Sequence, residues 1–175
     1  FPSRNMVKGL TSPSSPIVVS FSVAETAPNT YTQARIDLQL NVLDREIFVV
    51  TGINLDLLPP DGIAGLDTRT RGQLSATSQT AIGSLSTSNI FAIARDDIRS
   101  AGFADAGVPF SAMFGESPAI GMDYLNILAT NDFFIAVEGD ANLGAKAMTG
   151  KLYGYRAVAD GATFAALTQS ELLSA

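Results

Sequence analysis

The sequence contains no cysteine, no histidine and no tryptophan. Without cysteine there is no disulfide framework, no thiolate nucleophile and no zinc–thiolate centre. Without histidine the commonest general base and the commonest transition-metal ligand are missing. Ser–His–Asp, Cys–His and HExxH arrangements are therefore excluded. Carboxylates, Lys, Tyr, Ser and Thr remain, a set that disfavours an enzyme. Charge is also scarce: 16% of residues are charged against 46% hydrophobic. An average soluble domain carries roughly 25% charge, and a dispersed monomer needs that charge to stay in solution. A surface poor in charge and rich in Ala, Ser, Thr and Gly suits one covered by neighbouring subunits.

Basic residues are the minority, 11 against 17 acidic, for a net charge of −6. A protein that grips nucleic acid needs a basic stripe. Here Lys8, Lys146 and Lys151 are scattered, and Arg69 and Arg71 make the single loose arginine pair. Strong direct nucleic-acid binding is not expected. No run approaches the ~18 apolar residues of a membrane span, and the first residues hold no signal-like apolar stretch. No cofactor is expected.

The 175 residues fit one domain, large enough to bury roughly 70% of the unfolded surface without a metal or disulfide. Residues 1–16 read as an extended N-terminal arm, because Pro2, Pro13 and Pro16 keep it out of helices and sheet interiors. Residues 17–175 read as a single β-sandwich domain. Within it, Val19, Phe21 and Val23 share one strand face, and from Tyr31 to Leu43 the apolar residues Ala34, Ile36, Leu38, Leu40 and Val42 alternate with polar ones. From Glu46 to Leu58 the residues Ile47, Val49, Thr51, Ile53, Leu55 and Leu57 are expected to share one face, and the two segments predict a long hairpin about Asp44-Arg45. Pro59-Pro60-Asp61-Gly62 ends it.

Residues 61–72 read as a Gly/Asp loop, Arg71 to Gly83 as a Ser/Thr-rich strand, and Ser84 to Ser88 as another loop. From Asn89 to Gly102 the spacing of Ile90, Ala94, Ile98 and Ala101, with a capping Ser88 or Asn89 and a terminal glycine, predicts a short helix; a strand over Asn89 to Arg95 competes. Residues 103–121 form a long interrupted loop with exposed aromatics, a length that is usually functional or covered. Strands follow at Met122 to Ala129, Phe133 to Glu138 and Lys146 to Ala159, the last with a bulge at Gly150 or Gly154. A C-terminal helix over Asp160 to Ser174 places Phe164, Leu167 and Leu172 on one side. The sum is mainly all-β: an antiparallel eight-stranded sandwich, a single jelly roll, with one short helix in a connection and a C-terminal helix. Periodicity does not give the strand order.

The candidate chemistry is thin. Asp56, Asp61 and Asp67 surround a loop that could offer Ca²⁺ ligands, but they lack the DxDxDG spacing, and acidic residues in such turns usually only solvate them. Glu138-Gly139-Asp140 is weaker still. Asp96 and Asp97, adjacent on the predicted helix, would point about 100° apart and cannot converge on a substrate. Arg95 and Arg99 flank them as ion-pair partners. Tyr153 and Tyr155 beside Arg156 suit cross-strand packing better than base or sugar stacking. Gly62-Ile63-Ala64-Gly65 lacks the lysine and spacing of a phosphate loop. Thus no catalytic, cofactor or metal residue is assigned. Aromatics and Met are enriched at interface cores, so Phe103, Phe110, Met113 and Phe114 are the candidate subunit contacts, with Arg4 and Lys8 on the arm.

The run Asp123 to Gly139 (DYLNILATNDFFIAVEG), followed by Lys151 to Arg156 (KLYGYR) and Phe164 to Leu173 (FAALTQSELL), resembles small jelly-roll-type capsid proteins of uncultured marine bacterial viruses, over about half the chain. The resemblance implies a bacteriophage shell subunit: a homo-oligomeric structural protein that self-assembles through many copies and resides in the virion, an extracellular particle. Its partners would be copies of itself, with other virion proteins or an internal membrane beneath, because the arm holds only Arg4 and Lys8 for genome contact. The rival expectation is a subunit of an extracellular filament or surface layer assembled by strand exchange. A carbohydrate-binding sandwich is a third, disfavoured by the absence of Trp and the presence of only four Tyr.

Overall fold

The computed structural model describes residues 8–101, 108–113 and 123–173. Among these residues ten strands and one α-helix follow in chain order: β1 (Leu10–Thr11), β2 (Ile17–Ala24), β3 (Thr32–Asp37), β4 (Glu46–Leu57), β5 (Thr68–Ser75), β6 (Ile90–Arg99), β7 (Val108–Met113), β8 (Asn126–Leu128), β9 (Asp132–Asp140), β10 (Ala147–Ala159) and α1 (Gly161–Leu173). Every pairing is antiparallel. One sheet runs β1-β10-β4-β8 with β2 also on β10, and the other runs β3-β9-β5-β6-β7. The pairs β2–β10, β3–β9, β4–β8 and β5–β6 are nested: the first strand of this set meets the last, the second the next to last. A long hairpin rolled into two facing sheets has this connectivity, which is that of a jelly roll.

The core lies between the sheets. Phe21, Phe48, Leu55, Met148 and Leu152 from the first sheet meet Leu74, Ala94, Phe133, Ile135 and Val137 from the second. Phe21 and Phe133 meet edge to face, ring centroids 5.8 Å apart, an arrangement favoured by the ring quadrupoles. A second apolar layer holds Leu10, Ile47, Val49, Tyr155, Ala157 and Ala159, against which Phe164 and Leu167 of α1 pack. The helix therefore covers part of the first sheet's outer face.

That two-sided burial explains the run Ile47-Phe48-Val49-Val50, whose four residues are at most 1% exposed: alternate residues face the core and the helix. Beyond it, β4 slips by one. Tyr153 pairs with Gly52 but Gly154 pairs with Val50, leaving Thr51 as the bulged residue, its Oγ donating to the Tyr153 carbonyl at 3.3 Å. One extra residue reverses the parity of a strand. Before it Phe48 and Val50 face the core, and after it Ile53, Leu55 and Leu57 do. The bulge expected at Gly150 or Gly154 is thus opposite Gly154, with the additional residue on the partner strand. Gly154 is needed for close approach, since a Cβ there would run into the Val49 carbonyl and the Phe48 ring.

Four expectations are corrected. The predicted 31–58 hairpin does not form, because β3 pairs with β9 and β4 with β10, in opposite sheets. The chain crosses between sheets over residues 38–45, where Leu38 and Leu40 stay buried while Gln39 and Arg45 adopt left-handed φ of 54° and 56°. The predicted helix from Asn89 to Gly102 is β6, paired to β5 and β7. Part of the 103–121 loop is likewise strand β7, on the edge of the second sheet. The loop placed at residues 61–72 and the strand placed at Arg71 to Gly83 give way to β5 at Thr68–Ser75, with irregular chain from residue 76.

Candidate assembly surface

The sequence-predicted contact residues fall mostly where little is described. Arg4, Phe103 and Phe114 lie outside the described residues. Phe110 and Met113 stand on β7, opposite Asp97 and Ala94 of β6. Lys8 is exposed, next to β1. Residues 10 and 11 pair with Ala159 and Val158, and the Ser14 amide donates to the Arg156 carbonyl at 2.9 Å. Residues 10–24 thus follow the edge of the chain's own β10.

The apolar surface that sequence reasoning missed is at the end of α1. Asp160 starts the helix, accepting the Thr163 amide at 2.7 Å, as an N-cap should; that bond holds its carboxyl below the usual range. The residue on the buried stripe after Phe164 and Leu167 is Glu171, not Leu172. Leu172 and Leu173 are 63% and 77% exposed. They border a shallow apolar trough of about 420 Å³ with Phe164, Ala165 and Thr168. Glu171 is the one charged residue in α1, and it is buried, so the helix presents no charge to its open side.

Glu171 fastens this helix. Its Oε1 accepts the Ala129 amide at 2.9 Å, and its main-chain carbonyl accepts Asn89 Nδ2 at 3.1 Å. Oε2 is buried as well. Burial raises the carboxyl pKa, opposed by the Ala129 amide and by Thr130, with Asp132 adding to the rise. One residue thereby ties the helix end to the β8–β9 turn, through its side chain, and to the residue preceding β6, through its main chain.

At the sandwich end near the β9–β10 turn, the acidic residues considered for Ca²⁺ are engaged otherwise. Asp61 Oδ1 accepts Lys146 Nζ at 2.8 Å, while Oδ2 accepts the Leu143 and Gly144 amides at 2.9 and 3.1 Å. Lys146 and those amides hold the Asp61 carboxyl below its ordinary value. Asp67 accepts the Ser100 and Ala101 amides at 2.9 and 3.0 Å, and the Ala101 amide chiefly depresses its pKa. Asp56 is exposed on β4. Buried Glu25 accepts the Lys146, Gly139 and Thr30 amides at 2.7–3.0 Å. These carboxylates close turns, and among the described residues no three His, Cys, Asp or Glu side chains are grouped to hold a metal ion.

Asp96 and Asp97 diverge, for a different reason than expected: neighbours on a strand point to opposite faces. Asp97 binds Arg95 at 2.8 Å and Arg69 at 3.2 Å on the outer face of the second sheet. Burial, then the Asp97 charge, raises the Asp96 pKa. Tyr153 lies exposed over Gly52, whereas Tyr155 is buried beneath α1. Among the described residues no helix is long and apolar enough to cross a membrane.

No protein-family model matches the sequence. No curated protein matches it either. Among solved structures, the chain is similar to a protein of desmodium yellow mottle tymovirus, with 10% identity and TM-score 0.30, covering 89% of this chain and 94% of that one. A turnip yellow mosaic virus protein shows 14% identity and TM-score 0.32, covering 85% and 95%. Likeness of that size carries no argument about function, and the fold assignment rests on the strand pairing itself.

Proposed function

We propose that this protein is a capsid subunit that builds a shell from many copies of itself. The observation that carries the reading is a jelly-roll wall whose outermost helix is uncharged on its open side and ends in two exposed leucines. The fold serves viral capsids, lectins and cupins. A chain without histidine or tryptophan supplies neither the usual metal ligands nor the best sugar platform. Assembly needs no reactive group, only surfaces, each near the standard ~800 Å² per partner and summed by closed symmetry.

In this reading the two sheets are the wall, and α1 with the 103–114 region, including Phe103, Phe110, Met113 and Phe114, supplies contacts between copies. The arm ahead of β1, with Arg4 and Lys8, ties neighbouring copies. The particle is a virion of a bacterial virus, as the sequence resemblance implies. A filament built by strand exchange is less well supported, because the β10 edge that a donated strand would fill carries the chain's own residues 10–24. Electron microscopy of the purified full chain tests the proposal. Closed particles of uniform diameter are expected. Dispersed single subunits at high concentration, across salt and pH, would refute it.

A further inference from the structure

The outer face of the second sheet carries a cleft that neither wall-building nor α1 explains. Residues 76–88 fold back over this face, and Gln73 of β5 pins them there. Gln73 is fully buried: Nε2 donates to the Ala81 carbonyl at 3.2 Å and to Tyr31 Oη at 3.3 Å, and Oε1 accepts the Gly83 amide at 2.9 Å. Asn89 Nδ2 donates to Thr77 Oγ1 at 3.0 Å and fixes the loop's other end. A held loop makes one wall of a cleft of about 290 Å³, whose other wall is the sheet, near the lower limit for small-molecule sites.

Among the described residues the cleft is lined by Arg71, Arg95, Ile82, Ser84, Leu85 and Ile93, and by no carboxylate. Arg71 and Arg95 stand directly opposite each other in the β5–β6 register, a like-charge pairing that weakens a sheet unless something neutralises it. Nearby acids answer in part. Arg71 Nη2 meets Glu138 at 2.6 Å, while Arg95 and Arg69 share Asp97. Three guanidiniums are thereby bonded to two carboxylates; exposed Asp140 stands across from Arg69 in the β5–β9 register, two positions further from the cleft. Arg71 Nε is buried and has no hydrogen-bond partner, a donor that ordinarily finds one. Guanidinium forks suit oxyanions, and the remaining walls, Ile82, Leu85 and Ile93, are aliphatic.

We propose that this cleft binds an amphiphilic anion, its carboxylate or phosphate head on Arg71 and Arg95 and its apolar body against Ile82, Leu85 and Ile93. The proposal stands apart from shell assembly and survives its failure. Calorimetric titration of the full chain with octyl phosphate, inorganic phosphate and 1-octanol tests it. Octyl phosphate should saturate at one per chain, and each of its halves should bind at least roughly tenfold more weakly, since each loses one set of contacts. Arg95→Gln should weaken octyl phosphate about tenfold or more, the scale of one charge-assisted hydrogen bond. Leu85→Glu, at a position 55% exposed and so safe for folding, should abolish binding by placing a carboxylate at the mouth. No saturable binding, inorganic phosphate equal to octyl phosphate, or affinity unchanged in folded Leu85→Glu would each overturn the assignment.

Discussion

Outside the first sheet, α1 covers Ile47, Val49, Tyr155 and Ala157 with a helix whose single carboxylate is turned inward. Outside the second sheet there is no helix among the described residues, and the face is laced with Arg69–Asp97–Arg95 and Arg71–Glu138. Both faces belong to one sandwich and share one core. The difference is in how each meets its surroundings: the first is finished in uncharged side chains that gain by being covered, the second in ion pairs that lose little in water. Contacts between copies are therefore expected on the helix side, and polar or anionic company on the other.

The sharpest way to break the comparison is to remove what both faces share. Phe133→Ala empties a fully buried site against Phe21 and Phe91. It should cost about 3–5 kcal/mol in urea unfolding followed by circular dichroism, and both faces should be lost in one transition. Leu172→Asp combined with Leu173→Asp acts on the helix side alone. Because both side chains are mostly exposed, subunit stability should change within about 0.5 kcal/mol, while sedimentation velocity should show assembly lost. Retained assembly would move the contacts away from α1.

Acidity divides the two kinds of carboxylate more gently. The folded pKa of Glu171 is raised by burial, so its contribution to docking α1 is full below the unfolded value of 4.5 and fades as pH rises through the folded value. Asp61 runs the other way. Its folded pKa is lowered by Lys146, so its contribution holds above 3.8 and is lost as pH falls through the folded value. Hydrogen exchange, corrected for the intrinsic rate, should show residues 165–173 less protected at pH 8 than at pH 4.5, and Glu171→Gln should flatten that slope. The smallest effect belongs to Arg35→Ala at the exposed Arg35–Asp132 pair, which should leave the melting temperature essentially unmoved.

The strands were legible because burial on one face writes itself as period two: Val19, Phe21 and Val23, or Leu74 in β5, are where alternation puts them. The failures have physical reasons. Ile90, Ala94 and Ile98 satisfy a helical spacing of four and a strand spacing of two at once, and Asp97 looked like a helix-surface residue although its ion pairs bury it to 3% exposure. The false hairpin arose because Leu38 and Leu40 keep alternating after β3 ends, and the crossover turns at Gln39 and Arg45, residues that give no glycine-like warning of a positive φ. Nested pairing depends on contacts between residues distant in the chain, such as Ile17 with Gly154, which local periodicity does not encode. For the surface, helical period alone would have placed Glu171 rather than Leu172 on the stripe of Phe164 and Leu167. Hydrophobicity outweighed spacing there. The cleft beside Arg71 was beyond reach, since it needs β5 and β6 to be neighbours.

Native mass spectrometry of the full chain over a range of concentrations tests the shell account most directly. A single large, discrete species should dominate at high concentration, with few intermediates between it and the free subunit, as closed symmetry requires. A mass of 18.3 kDa at every concentration, or an unbroken ladder of open oligomers, would contradict it.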